Sequence, residues 1–192
     1  MDPSRTLIGI AGAPGVGKST FAQQFAQSLI RDGVPAVVVG MDGFHLSQAE
    51  LVRLGRRDRM GAPDTFDLPG FLSALRVLRD ARLPAVLPVF DRSLEEARPR
   101  ALKVGPEIRT VVIEGNYLLH DRDGWEEVAP LLDSVLFLEA PEASRIERLV
   151  RRHVEYGKTE DEARAWSLGT DQRNAELIAS GRDRASMLIT VD

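Results

Sequence analysis

Within "GAPGVGKST", residues 12–20, Gly12, Gly17, Lys18 and Ser19 stand in the spacing G-x-x-x-x-G-K-[ST]. Those residue types at that spacing suit the holding of a polyphosphate. An anhydride with several negative charges must be gripped by many donors at once, and backbone N–H groups converge only where Cβ atoms are absent. Gly12, Gly15 and Gly17 meet that need, with the small or ring-locked Ala13, Pro14 and Val16 between them. Phe21, Phe25, Leu29 and Ile30 follow at helical spacing, so a helix N-terminus with its partial positive charge should lie under the same phosphates. Lys18 would reach the β/γ-phosphates, the Ser19 hydroxyl could ligate Mg²⁺, and Thr20 completes the contact stretch. The plainer alternative is a Gly-rich strand-to-helix turn with an incidental lysine.

Other polar residues fall where they could act on such a phosphate. Asp42 ends the apolar run of "VVVGMDGFH", where a carboxylate could accept the proton of an attacking hydroxyl; turn formation or helix capping is the competing role. Glu114 ends "VVIEGNY" and could hold the Mg²⁺ shell or orient water, unless it is a solvated strand-end acid. Arg145, Arg148 and Arg152 share related faces of a helix, with Arg151 just off that row. They could neutralise a transferring phosphoryl group, although interleaved Glu142, Glu147 and Glu155 also fit a solvated face. His45 reads equally as a substrate ligand or a turn histidine, and Phe44, Phe66 and Tyr117 as cleft walls or packing. Asp91, Arg92 and Glu95 offer a polar surface suited to a hydroxyl-rich or anionic acceptor. Arg56, Arg57 and Arg59 read first as a solvated loop, and Trp125 and Trp166 as helix anchors.

These groups can meet only if the surrounding elements bring them together. Five apolar runs without alternation, at 6–11, 35–40, 109–115, 134–140 and 186–191, read as parallel strands covered on both faces. Helical patterns fall at 17–33, 46–57, 68–81, 125–133, 141–157 and 159–181. Strand and helix alternate, which predicts an α/β fold with a parallel five-stranded sheet. Residues 43–70 and 90–108 should be irregular substrate-side segments, the latter with an extra hairpin strand, and a helical lid is expected over about 145–165.

The 192 residues suit a single domain. A net charge of −4 argues against general nucleic-acid binding. The chain has no cysteine, which excludes thiolate chemistry and fits a cytoplasmic setting. No apolar run is long enough for a signal peptide or a membrane span, so no membrane partner is expected. A homodimer is left open.

"GAPGVGKST", "MDGFH", "GAPDTFD", "LPVFD", "VVIEGNYLL" and "RLVRRHVEYGK", in that order, resemble the phosphate-loop kinases that include uridine kinase, phosphoribulokinase and bacterial pantothenate kinase. The likeness is greatest to a bacterial subgroup described as nucleoside-kinase-like or fructokinase-like. It implies a three-layer α/β/α fold of the P-loop NTPase type, with ATP and Mg²⁺ as cofactors and a small hydroxyl compound as acceptor. By the same resemblance Asp42 is the catalytic base, Lys18 and Ser19 hold ATP, Glu114 belongs to the metal site, Arg148 or Arg152 acts from a closing lid, and the region from Asn174 to Arg184 contacts adenine. One departure is "PVFDRSLEE", with Phe90 where uridine kinases carry a tyrosine and no following histidine, which speaks against pyrimidine recognition. A nucleotide-operated ATPase or switch acting on a protein partner is the reading from another class; there Asp42 and Glu114 would orient water.

Overall fold

The computed structural model describes residues 4–192; Met1–Pro3, which open the stretch read as lacking a signal peptide, lie outside the described residues. In chain order the elements are β1 (Thr6–Gly12), α1 (Lys18–Arg31), β2 (Ala36–Gly40), α2 (Gln48–Arg53), α3 (Leu68–Arg79), β3 (Ala85–Asp91), β4 (Glu96–Val104), β5 (Thr110–Glu114), β6 (Ser134–Glu139), α4 (Glu142–Glu155), α5 (Glu160–Trp166), α6 (Gln172–Ala179) and β7 (Met187–Thr190). Five strands form one sheet in the order β2-β5-β1-β6-β7, and every pairing in it is parallel.

Strand alternation divides the core between the two sheet faces. Leu7, Ala11, Val111, Ile113, Val135 and Phe137 point toward Phe71, Leu72, Leu75 and Leu78 of α3 and Ile178 of α6. Ile10, Val112 and Leu138 point the other way, against Ala22, Ala26, Phe21, Phe25 and Leu29 of α1. Helices therefore cover both faces, giving the three-layer α/β/α arrangement. Among the described residues no helix is long and apolar enough to cross a membrane.

The expected hairpin and the helix expected at 46–57 form, the helix shorter, while other local expectations change. The pattern at 125–133 forms two 3₁₀ turns, Trp125–Glu127 and Ala129–Leu131, because Pro130 lacks an N–H and its ring blocks a continuing helix. Residues 90–108 are mostly strand: β4 pairs antiparallel with β3 as a separate hairpin. The segment 43–70 contains α2, which Ser47 caps by accepting from the Glu50 N–H, and two short 3₁₀ turns. The helical pattern at 159–181 is interrupted by a π turn at Ser167–Asp171. Trp125 is buried against Phe66, Phe71 and Tyr117, whereas Trp166 lines a cleft with the Lys158 ammonium 5.0 Å from its ring centroid.

Candidate active site

Strand order determines what meets at the carboxyl edge of the sheet. β5 lies between β1 and β2, with Glu114 in register with Ile10 on one side and Gly40 on the other. The loop after β1 and the turn after β2 therefore flank Glu114. The strands that follow β1 in the chain are placed first on one side of it (β2, β5) and then on the other (β6, β7), and crevices for ligands form at such switch points. Here the crevice is a cleft of about 560 Å³, lined from the loop by Pro14, Gly15, Gly17, Lys18, Ser19 and Thr20.

The loop's geometry fits a polyphosphate. Gly12, Gly15 and Gly17 all have positive φ (147°, 78° and 100°). A Cβ on Gly15 would stand 2.5 Å from the Arg145 carbonyl oxygen. Gly17 precedes α1 without any side-chain cap, so the first N–H groups of the helix are open to a ligand. Lys18, only 8% exposed, donates to the Gly12 and Ala13 carbonyls at 2.8 and 3.0 Å. Burial lowers its ammonium to about 8, against the raising influence of Glu114 and Asp42. A buried cation destabilised in this way gains from an incoming polyanion. Ala13 and Val16 face the other side of the loop, toward Leu138 and Ala175.

Ser19 donates its hydroxyl to Glu114 at 3.1 Å. One hydroxyl and one carboxylate are the kind of sparse set that suits Mg²⁺, which keeps most of its other ligands as water and phosphate oxygen. Burial, and then the charge of Asp42, raise the Glu114 carboxyl above its ordinary range. Asp42 sits in the 3₁₀ turn Met41–Phe44 and is held by Arg92 at 3.1 Å. Burial alone would raise it too, but the positive charges of His45, Arg92, Lys18 and Arg152 hold it below its ordinary range. The two carboxyls are shifted in opposite directions, Asp42 toward its charged form and Glu114 away from it. Such a separation is how neighbouring acids take different roles. His45 bonds through Nδ1 to the Asp42 carbonyl oxygen at 2.9 Å, so Nδ1 carries the proton. Its ring lies 4.0 Å from Phe66 and 5.0 Å from Phe90, centroid to centroid.

The helix arginines divide. Arg145 is buried, donating to the Pro14 carbonyl and to Gln172. Arg148 lines the cleft but is held beneath the loop, where it donates to the carbonyls of Gly15, Val16 and Asp192. Arg152 also lines the cleft and makes no hydrogen bond or ion pair among the described residues. Burial and the nearby Arg92 work against its charge, with Asp171, Asp42 and Glu95 opposing them.

Four expected acceptor contacts lie elsewhere. Phe44, Phe66 and Tyr117 are core residues; Phe44 packs on Phe71, Phe66 beneath His45, and the Tyr117 hydroxyl donates to the Gly61 carbonyl. They support the cleft floor because their turns fold inward at the edge of the larger core. Asp91 accepts from Ser93 and pairs with Arg98, closing the hairpin turn. In the region expected near adenine, Arg182 pairs with Glu139 and Arg184 with Asp121, whereas Asn174 reaches the cleft beside Gly61. The sequence reading passed over Asn116, His153 and Asp171, which also line the cleft. Asp171 and Asn174, three apart on an otherwise apolar helical face, were the available signal.

The sequence profile described as "Phosphoribulokinase / Uridine kinase family" matches residues 7–190. The chain is 32% identical over 187 residues to the uncharacterized protein YggC of Escherichia coli K12, covering 96% of this chain and 77% of that one. It is 35% identical over 170 residues to a Schizosaccharomyces pombe protein provisionally named a uridine kinase, covering 83% and 72%. Among solved structures, one from Silicibacter sp. TM1040, described provisionally as a fructose transport system kinase, superposes with a TM-score of 0.91 at 41% identity, covering 98% of this chain and 91% of that one.

Proposed function

Because the chain belongs to the phosphoribulokinase and uridine kinase family, we propose that it transfers the γ-phosphoryl group of ATP, with Mg²⁺, to a hydroxyl of a small metabolite such as a sugar, a nucleoside or a pantothenate-like acid. The observation that carries this reading is the ionised Asp42, held by Arg92 at 3.1 Å, in the same cleft as the loop, Lys18 and the Ser19–Glu114 pair. Bound Mg·ATP would supply the transferable phosphoryl and the metal's charge.

The protein's own residues divide the work. Loop N–H groups and Lys18 hold the phosphates. Ser19 and Glu114 hold the metal shell, and a cation there would offset the burial that raises the Glu114 carboxyl. Asp42 accepts the hydroxyl proton of the acceptor, and Arg92 sets the orientation of that carboxylate. Arg152, partly buried in the cleft without a partner of its own among the described residues, is an arginine free to meet charge developing on the phosphoryl oxygens. The turn from α4 to α5 carries Tyr156, Gly157 and Lys158 along the cleft, and its closure would exclude water.

ADP release from Mg·ATP, measured against sugars, nucleosides, pantothenate and sugar phosphates with an acceptor-free baseline, tests the reading. Strong stimulation by one class, removed by Asp42→Asn, is expected. A flat response across the panel would overturn it.

A further inference from the structure

The π turn Ser167–Asp171 interrupts the helical stretch between α5 and α6, and such turns occur most often at functional sites. It ends on Asp171, with Asn174 one turn further on. Both side chains are buried, each residue 7% exposed, and both line the cleft. The Asp171 carboxylate accepts from His153 Nε2 at 2.8 Å through Oδ2 alone, so Oδ1 keeps its accepting capacity. The Asn174 amide makes no hydrogen bond among the described residues. Backbone groups near it have partners already. Gly61, whose Cβ position is 3.6 Å from Asn174 Nδ2, already gives its carbonyl to the Tyr117 hydroxyl and its N–H to Thr65.

Building on the kinase reading above, we propose that Asp171 and Asn174 form the acceptor-recognition subsite, and that the acceptor is an uncharged molecule presenting neighbouring hydroxyls beyond the one that reacts. Electrostatic reach joins this pair to the reacting end of the cleft: Arg152 feels both Asp171 and Asp42, and the buried Tyr117 hydroxyl feels the same two carboxylates. The acceptor space therefore runs from Asp42 and Arg92 to Asp171 and Asn174. Two of its polar pairs are matched, Arg92 with Asp42 at 3.1 Å and the His153 ring with Asp171 at 2.8 Å, while Arg152, assigned above to the transferring phosphoryl, and Arg57 line the cleft without an ion pair among the described residues. Lys18 lies on the loop and Arg151 and Lys158 on α4 and the turn after it, where nucleotide phosphates would draw on them, and Arg148 is tied to the loop carbonyls. At the Asp171–Asn174 end a phosphate or carboxylate on the acceptor would meet the Asp171 carboxylate. Hydroxyls suit what is left, because a carboxylate accepts from them and an amide both donates and accepts. Sites built in this way reject analogues that lack the hydroxyl far more strongly than apolar pockets reject a missing methylene. A free sugar, a polyol and the ribose of a nucleoside share that chemistry.

The experiment uses the full chain with Mg·ATP and, as separate arms, D-fructose, ribitol, uridine, D-glycerate and D-ribulose 5-phosphate. Turnover of an uncharged arm is expected, with its deoxy analogue at least tenfold poorer in kcat/KM. Asp171→Asn and Asn174→Ala should raise the acceptor KM at least tenfold, shift the ATP KM less than twofold and flatten the preference over the deoxy analogue. Asn174→Asp, which keeps the shape but loses the donors, should show the same split if the alanine variant folds poorly. Preference for a charged arm, or equal shifts in both KM values, overturns the subsite while leaving the kinase reading intact. ATP hydrolysis that no arm stimulates overturns both.

Discussion

At the residue scale, Asp42 and Lys18 make separate demands on experiment. Asp42→Asn removes the proton acceptor and leaves the loop intact. It should lower kcat by roughly 10²–10⁴-fold with the ATP KM within about twofold of the parent; equal losses in both would remove Asp42 from the role of base. Lys18 has its folded value lowered from 10.5 to about 8 by burial. Between those values the unfolded chain binds more protons, so the nucleotide-free protein gains stability as pH rises from 8 toward 10.5 and loses it as pH falls through 8. Nucleotide phosphates restore the charge. Binding of metal-free ATP at pH 8–9 should therefore take up protons, seen in calorimetry as a heat that depends on the buffer's ionisation enthalpy. A heat independent of the buffer would contradict this account of Lys18. Glu114 has the opposite linkage. Its carboxyl is raised by burial, so apparent Mg²⁺ affinity should weaken as pH falls through that raised value, and Glu114→Gln should abolish the dependence. Motif spacing made Lys18, Ser19, Asp42 and Glu114 legible. The burial that sets their protonation comes from residues distant in sequence.

At the scale of elements, the loop and α4 form one unit. Gly15 packs against Arg145 and Leu149, while Arg145 and Arg148 bind the loop carbonyls. Gly15→Ala puts a Cβ 2.5 Å from a backbone oxygen at φ +78°. It should lower stability by about 1–3 kcal/mol in urea unfolding and weaken ATP binding more than tenfold. Gly17→Ala has nothing within 4 Å of the new Cβ but φ +100°, so its cost should be conformational only, about 1 kcal/mol. Similar stability losses in both variants would count against the packing of α4 on Gly15. The sequence showed helical periodicity for α4 but could not separate arginines beneath the loop from one facing the cleft. That sorting depends on the axial rotation of α4 against β1, a contact between residues about 130 apart.

At the scale of the whole molecule, the reacting edge of the sheet has a structural counterpart at the other end. Arg5, 1% exposed, precedes β1 and donates to the carbonyls of Leu78, Asp80, Leu83, Gly105 and Ile108. It thereby joins the end of α3, the hairpin and the entry to β5. Arg5→Met leaves those acceptors without their donor and should lower stability by about 3–5 kcal/mol, or Tm by roughly 10 °C. Arg5 lies about 20 Å from the loop, the length of β1, so acceptor and ATP KM values should stay at parental levels. A large KM change would mean that the two edges communicate.

The sequence by itself determined the layered α/β plan, because strands buried on both faces must be apolar at every position and helices must carry one apolar stripe. It also determined the phosphate loop, whose chemistry is local and depends on consecutive residues. The tertiary structure decided which residues line the cleft. Phe44, Phe66 and Tyr117 turned into the core, while Asp171, at the end of a π turn that no residue spacing announces, and Asn174 beyond it came to line the same cleft as Asp42. Those placements depend on packing between segments from about twenty to more than a hundred residues apart, and a one-dimensional pattern does not encode the rotation of one helix against another.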